Sequence, residues 1–165
     1  MQPTVVVFAI GNPSRGDDAV GPLLLERLES WLAGIGHASA FALVGDYQLQ
    51  IEHALELRGK RLALFIDAGC AIVRPLAFYA IDALPGFPSP STHALLPQEL
   101  LGVYRQVVGE DPPPAFVLCV RGERFELGEG LSAAAEAHAE SAWRQLTRLC
   151  ERPDVERWRA LAANQ

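Results

Sequence analysis

The sequence predicts a three-layer α/β fold: a mostly parallel, twisted sheet of about five strands with helices on both faces. Continuous apolar runs rich in β-branched residues, such as residues 4–10, are typical of strands covered on both faces. Segments of helical period alternate with them, and in residues 18–32 the apolar side chains share one stripe. Short connections between these segments favour crossovers that join parallel strands.

Turn residues and caps set the predicted bounds of each element. We predict strands over residues 4–10, 39–44, 61–66, 76–81 and 115–120. We predict helices over residues 18 to 34 or 36, 49–57, 97–108 and 132–149. Strand 76–81 is expected near an edge because Pro75 precedes it, and the three prolines of residues 84–92 predict a loop. Asp17 and Ser132 are the candidate N-caps of the first and last helices.

Length and charge restrict the class of protein. With 165 residues the chain predicts one α/β domain over residues 1–152, and residues 153–165 are expected to be a loosely attached tail. A net charge of −6 argues against non-specific binding to nucleic acid or to an anionic membrane. No apolar run reaches the roughly 18 residues of a membrane span, and Met1 leads into a strand-like segment instead of a signal peptide.

The cysteines fit the same class. There are three, an odd number, and they are widely spaced, which is typical of reduced thiols in the cytoplasm. Cys119 and Cys150 are interpreted as small buried hydrophobes. We therefore expect a soluble cytoplasmic protein.

Polar side chains follow the predicted strands at the edge where ligands bind in open α/β sheets. Asn12, Asp17 and Asp18 follow the first strand, Asp46 follows the second and Asp67 follows the third. His93 lies in the proline-rich loop before a short helix. Carboxylates and one imidazole at a common edge predict a divalent metal site with positions open to water or substrate.

Each of these residues also has a simpler interpretation. Asp17 or Asp18 caps the first helix in that view, although both cannot cap it, so one acid is left without a partner. Asp67 accepts hydrogen bonds from loop amides, and His93 is an ordinary loop histidine. His53 is interpreted as a packing or surface residue. The combination of acids after two strands with one loop histidine nevertheless favours a site.

Three common motifs are excluded. The Gly11-x-x-x-x-Gly16 spacing resembles the start of a phosphate-binding loop, but Asp17 and Asp18 stand where Lys and Ser or Thr are required, and they would repel a phosphate. No Gly-x-Gly-x-x-Gly follows the first strand, and no Gly-x-Ser-x-Gly elbow is present.

Residues 10–22 (IGNPSRGDDAVGP) resemble the signature of the nickel-iron hydrogenase maturation proteases. The resemblance continues in residues 65–68 (FIDA), in residues 91–95 (STHAL), and in residues 121–123 and 125–132 after the last strand. It spans nearly the whole chain, in the right order.

The resemblance implies a cytoplasmic endopeptidase that removes a short C-terminal extension from the precursor of the hydrogenase large subunit once nickel is inserted. The metal-binding positions of the family match Asp18, Asp67 and His93, which are then also the catalytic candidates. Nickel would be carried by the substrate and not held tightly by the free protease. No nucleic acid or membrane partner is implied, and we expect a monomer.

The segment after the second strand departs from the family pattern. Many members carry Asp-Gly-Gly-Thr there, whereas residues 45–50 read GDYQLQ and are more similar to the subgroup that serves soluble, cofactor-reducing hydrogenases. Asn12, Asp17 and Asp46 are the candidate substrate-binding residues. Two alternatives stay open: a stand-alone metallohydrolase with its own zinc or manganese, and a non-catalytic nickel carrier or assembly chaperone.

Overall fold

The computed structural model describes residues 2–69, 72–88 and 94–164. Within these residues the strands are β1 (Val5–Ile10), β2 (Phe41–Asp46), β3 (Leu62–Gly69), β4 (Leu76–Ile81) and β5 (Ala115–Arg121). The α-helices are α1 (Val20–Gly34), α2 (Pro97–Val108), α3 (Ala133–Glu151) and α4 (Val155–Ala163). Three 3-10 helices cover Gly16–Ala19, Ala38–Ala40 and Ile51–Leu57.

The five strands form one sheet in the order β2-β1-β3-β5-β4. Strand β1 pairs in parallel with β2 and β3, β3 pairs in parallel with β5, and β4 is antiparallel to β5. The prediction of a mostly parallel sheet of about five strands is confirmed. Strand β4 also lies at an edge, as the proline before it predicted.

Helices cover both faces of the sheet, which confirms the three-layer prediction. Alternate residues of β1 point to opposite faces: Val5 and Val7 pack with α1, α3 and α4, whereas Val6 and Phe8 pack with α2 and Ile51–Leu57. Both sets are buried, because a central strand of a parallel sheet has no solvent face. No helix among the described residues is both long enough and apolar enough to cross a bilayer.

Three strands run further than predicted, toward the edge where polar residues were expected; β5 does so by one residue, to Arg121. Strand β2 continues to Asp46, which lies opposite Ile10 of β1. Strand β3 continues to Gly69, which lies opposite Arg121 of β5. The polar residues continue the strands because neighbouring parallel strands supply hydrogen-bond partners for their backbone groups.

The C-terminal segment was predicted to be loosely attached, and the structure contradicts this for residues 155–163. They form α4, whose first turn is capped by Asp154 through a 2.8 Å bond from the Arg157 amide. Trp158 is 0% exposed and packs edge-on against Phe78 and Phe116, at ring-centroid distances of 6.2 and 5.5 Å. One large aromatic ring fixes this short helix to the sheet.

Candidate functional site

The turn after β1 is shaped by glycines in close contact with other backbone. A Cβ on Gly11 would lie 2.0 Å from the carbonyl oxygen of Asp18. Gly16 has φ +54°, and a Cβ there would lie 2.4 Å from the Arg124 carbonyl oxygen. Real Cβ atoms do not approach backbone so closely, so the glycine spacing of this turn is a steric requirement of its path.

Asp18 lies in the 3-10 helix Gly16–Ala19, half-buried beside the end of β1. Its Oδ2 accepts a hydrogen bond from the Asn12 amide at 2.7 Å. The Asn12 side chain is used locally, because its Oδ1 accepts from the Ser14 amide at 2.9 Å. The Asn12 backbone therefore orients Asp18, while its side chain closes the turn.

Asp67 lies in β3, in register with Cys119 of β5. Burial raises the pKa of its carboxyl group to about 6; the hydrogen bond from the Ala68 amide lowers this pKa, and the negative charge of Asp18 raises it. Since Asp18 follows β1 and Asp67 lies near the end of β3, adjacent parallel strands place two carboxylates within electrostatic reach of each other. These two predicted residues therefore come together at one edge of the sheet.

The pair has the chemistry of an incomplete cation site. No Lys, Arg or His among residues 2–69, 72–88 and 94–164 forms an ion pair with Asp18 or Asp67. A divalent cation between the two would remove their mutual repulsion, and oxygen ligands suit such an ion. No group of three metal-ligating side chains occurs in the described part of the chain. The predicted third ligand, His93, lies outside the described residues.

Asp17 has a different role from its neighbour. It is 0% exposed. Its Oδ2 accepts from the amides of Glu123 (2.7 Å) and Arg124 (3.0 Å) and from the Ser132 hydroxyl (2.8 Å), and its Oδ1 accepts from the Ser132 amide (2.8 Å). Burial by itself would raise the pKa of Asp17, but these hydrogen bonds together lower it below its ordinary value.

Two expectations for Asp17 therefore differ from the structure. It does not cap α1, which begins after Ala19 without a side-chain cap. It also has no exposed surface through which to contact a substrate. Its side chain instead holds the β1–α1 turn to residues that follow β5.

Residues 122–132, which we name the strap, cover the turn that carries the acidic pair. The Gly16 amide donates to the Glu129 carbonyl (3.1 Å), the Asp17 amide to the Arg124 carbonyl (2.7 Å), and the Gly128 amide to the Ser14 carbonyl (2.7 Å). Backbone bonds run in both directions between the two segments. Asp18 thus stands on a turn held from β1 on one side and from the strap on the other.

Asp46 reaches the same edge at the end of β2, and it has a partner that sequence reasoning missed. Its Oδ2 lies 3.3 Å from Nε2 of His53, while its Oδ1 accepts from the Tyr47 amide at 2.7 Å. The Gln50 amide donates to Nδ1 of His53 at 2.8 Å, so the proton of the neutral ring is on Nε2, facing Asp46. His53 also packs edge-on against Phe8.

Two further side chains lie beside Asp67. Cys119, predicted to be buried, is only half-buried, although it packs against the apolar cluster on the α2 face of the sheet. Burial raises the pKa of the Tyr79 hydroxyl, and the negative charges of Cys119 and Asp67 raise it further. The other described cysteine, Cys150, is buried as predicted, and burial raises the pKa of its thiol to about 12. The register of β4 and β5, which a sequence does not reveal, places Tyr79 here.

No family model matches the chain, and no curated protein matches it by sequence. Solved structures do match it. The [NiFe] hydrogenase maturation protease HycI from Thermococcus kodakarensis KOD1 superposes with a TM-score of 0.67 at 22% identity, over 92% of this chain and 94% of that chain. The hydrogenase maturating endopeptidase HybD from E. coli superposes with a TM-score of 0.68 at 22% identity, over 92% and 93% of the two chains.

A third structure, the hydrogenase 2 maturation peptidase from Thaumarchaeota archaeon SCGC_AB-539-E09, has a TM-score of 0.61 at 16% identity, over 89% of this chain and 97% of that one. These matches cover almost the full length of both partners in every case. Strand β3, which carries Asp67, and the turn after β1, which carries Asp18, belong to the part of the chain that these matches cover almost completely. The chain therefore has the α/β fold of solved hydrogenase maturation endopeptidases.

Proposed function

We propose that the chain is a nickel-iron hydrogenase maturation protease, an endopeptidase that removes the C-terminal extension of the large-subunit precursor after nickel insertion. Two independent lines support this. The motifs of residues 10–22 and 65–68 resemble the family signature. The fold is shared over nine-tenths of the chain with proteins described as hydrogenase maturation endopeptidases.

The observation that carries the proposal is the pairing of Asp18 with Asp67. Burial raises the pKa of Asp67 to about 6, and the negative charge of Asp18 contributes to this rise. Perturbed groups of this kind are concentrated at functional sites. A substrate that brings its own cation supplies the missing counter-charge, so affinity depends on the presence of the ion.

Nickel is in this view part of the substrate. Asp18 and Asp67, with His93 as the third ligand, grip an ion that the precursor already holds. A precursor without nickel offers no positive charge to the acidic pair, so it binds weakly and is not cleaved. The protease thereby tests whether the metal centre is complete before the extension is removed in the cytoplasm.

Cleavage then requires an activated carbonyl or an activated water at this edge. A metal ion at the scissile bond polarises a carbonyl oxygen or lowers the pKa of bound water. Asp67 is suited to hold a proton in the absence of the ion, because burial raises the pKa of its carboxyl group to about 6. The departure at residues 45–50 favours, as a finer proposal, a soluble cofactor-reducing hydrogenase as the source of the precursor.

The test is incubation with nickel-loaded and nickel-free precursor, followed by intact-mass measurement. The wild-type protein should shorten only the loaded precursor. Asp18→Ala, Asp67→Ala and His93→Ala should remove this activity with the fold intact, whereas Asp111→Ala, at an exposed carboxylate before β5, should retain it. An unshortened precursor that stays bound would favour a chaperone. Stoichiometric zinc or manganese in the purified protein would favour a stand-alone metallohydrolase.

A further inference from the structure

A groove of about 350 Å³ lies between helix α1 and strand β2. Its helical wall consists of Pro22, Leu25, Glu26 and Glu29. These residues are spaced i, i+3, i+4 and i+7, so they form one continuous face of α1. This face flanks the buried stripe of Val20, Leu24, Leu28 and Leu32 that packs on the sheet. Leu25 is half-buried against that cluster, whereas Glu26 and Glu29 are exposed, so the face is partly open to a partner.

The opposite wall is the edge of the sheet. Leu43 and Gly45 of β2 line it, followed by Asp46 and Tyr47. Strand β2 is the outermost strand, and no other strand of the described chain pairs with its free side. A Cβ on Gly45 would lie 3.1 Å from Cδ2 of Leu25, so the glycine allows Leu25 of α1 to lie close to β2 where the two walls meet. An unpaired edge of this kind accepts an extended polypeptide through backbone hydrogen bonds.

The charge of the groove is entirely negative. Glu26, Glu29 and Asp46 line it, and no basic side chain does. Neither Glu26 nor Glu29 forms an ion pair with another described residue. Between these acids lie the apolar surfaces of Leu25 and Leu43. A Lys or Arg side chain matches this combination, because its methylene groups cover apolar surface while its charge reaches the carboxylates.

One end of the groove adjoins Asp18, one of the two acids of the pair. Gly11 and Pro13 line that end. A Cβ on Gly11 would lie 3.3 Å from Oδ1 of Asp18, so this carboxylate stands directly behind the wall of the groove. A chain that lies in the groove is thereby led to the edge of the sheet where Asp18 and Asp67 meet.

We infer that this groove binds an extended, basic segment of the polypeptide that the enzyme processes, with its backbone along the free edge of β2. The inference rests on the proposed function for the identity of the polypeptide. Leu25 and Leu43 contact the aliphatic parts of the segment, and Glu26, Glu29 and Asp46 bind its cationic ends. Complementary charge of this kind selects the partner and fixes the register of the bound segment.

The direct test uses a peptide and requires no hydrogenase. A short capped peptide of alternating valine and arginine is titrated into ¹⁵N-labelled protein, and the same peptide with glutamate in place of arginine serves as the ligand control. The arginine peptide should shift the amide signals of Leu25, Leu43, Gly45 and Tyr47, and this binding should weaken in high salt. Equal shifts with both peptides, or shifts confined to other regions, would overturn the inference.

Charge reversal supplies the matched variants. Glu26→Lys/Glu29→Lys should weaken binding of the arginine peptide by about tenfold or more, since two attractions become repulsions. Glu52→Lys/Glu56→Lys makes the same change in net charge at exposed positions of Ile51–Leu57, which packs on the other face of the sheet. It should bind the peptide as the wild type does. Equal weakening in both variants would mean that only overall charge matters, and would contradict a specific groove.

The precursor assay separates this inference from the proposed function. If the wild type cleaves nickel-loaded precursor, the Glu26→Lys/Glu29→Lys variant should show a higher KM with nearly unchanged kcat. Cleavage with an unchanged KM in that variant would overturn the groove assignment and leave the protease intact. Peptide binding in the groove without any cleavage of precursor would instead overturn the protease and leave a basic-peptide site.

Discussion

Ser132 links the acidic turn to helix α3. Its hydroxyl donates to Oδ2 of Asp17 at 2.8 Å and accepts from the Ala135 amide at 3.1 Å, so one side chain caps the helix and binds the carboxylate. The Ser132 amide also donates to Oδ1 of Asp17. The negative charge of Asp17 thus lies at the positive end of α3, where the helix dipole stabilises it.

The carboxylate of Asp17 is required, and an amide cannot replace it. Four donors point at its two oxygens. In Asp17→Asn the amide nitrogen meets at least one of these donors in either orientation, which leaves buried groups unpaired. We expect a loss of about 2–4 kcal/mol in the free energy of unfolding at pH 7, measured with urea. Asp111→Asn, at an exposed position, should change it by less than about 0.5 kcal/mol.

Asp17 should also make the stability of the fold sensitive to acid. The pKa of Asp17 is lower in the folded protein than its ordinary value of 3.8. The unfolded chain therefore binds more protons between these two values, and stability from Asp17 is complete above the unfolded pKa and is lost as the pH falls through the folded one. Below about pH 4, urea midpoints should fall more steeply for the wild type than for Asp17→Asn. Parallel curves would contradict this assignment.

The contribution of Asp67 to stability should change with pH in the opposite direction to that of Asp17. Its pKa is raised to about 6, above the ordinary 3.8, so the folded protein binds the extra proton between these values. Ionisation of Asp67 therefore destabilises the fold as the pH rises through 6. Asp67→Asn should stabilise the protein by about 1–2 kcal/mol at pH 7 and by much less at pH 4, measured in the presence of a chelator. It should at the same time abolish processing of the precursor, since a functional carboxylate is lost.

The close contact between Gly11 and Asp18 predicts a strong effect of a single methyl group. In Gly11→Ala the added Cβ would collide with the Asp18 carbonyl oxygen, so the turn must shift and carry the Asp18 side chain with it. We expect a loss of more than about 2 kcal/mol in thermal or urea unfolding, together with loss of processing. Gly34→Ala is the control: nothing lies within 4 Å of its Cβ position, and stability should be unchanged or slightly improved.

Helix α4 is expected to be part of the cooperative fold. Trp158→Ala would remove a ring buried against Phe78 and Phe116 and the bond from its Nε1 to the Leu149 carbonyl. A loss of about 3–5 kcal/mol is expected from calorimetric or urea unfolding. Arg159→Ala, which removes an exposed ion pair with Glu156, should cost little. A small effect at Trp158 would mean that α4 detaches from the sheet in solution.

Sequence reasoning succeeded where the signal is local. The bounds of β4 and α2 agree with the prediction to the residue, because prolines at 75 and 97 mark where each element starts. Asp18 and Asp67 could be placed at a common edge because parallel strands end on the same side of a sheet. These inferences need only the order of elements and the period of apolar residues.

The features that were not predicted from the sequence depend on contacts between residues that are far apart in the chain. Asp17 was assigned to the helix next to it, whereas the groups that bind it come 106 to 115 residues later. The helix at residues 155–163 is short and follows a proline, and only the aromatic pair on β4 and β5 explains why Trp158 is buried. The link between Asp46 and His53 likewise requires the register of β2 on β1.

The distance in sequence between Asp17 and the strap has a consequence for the order of assembly. During synthesis the turn of residues 11–18 emerges early, but the buried carboxylate of Asp17 has its four donors only after residues 123, 124 and 132 have left the ribosome. A nascent or truncated chain that ends before the strap carries Asp18 on an untethered turn. The geometry of the acidic pair is therefore completed among the last steps of folding, after the central strands β1, β3 and β5 are in place.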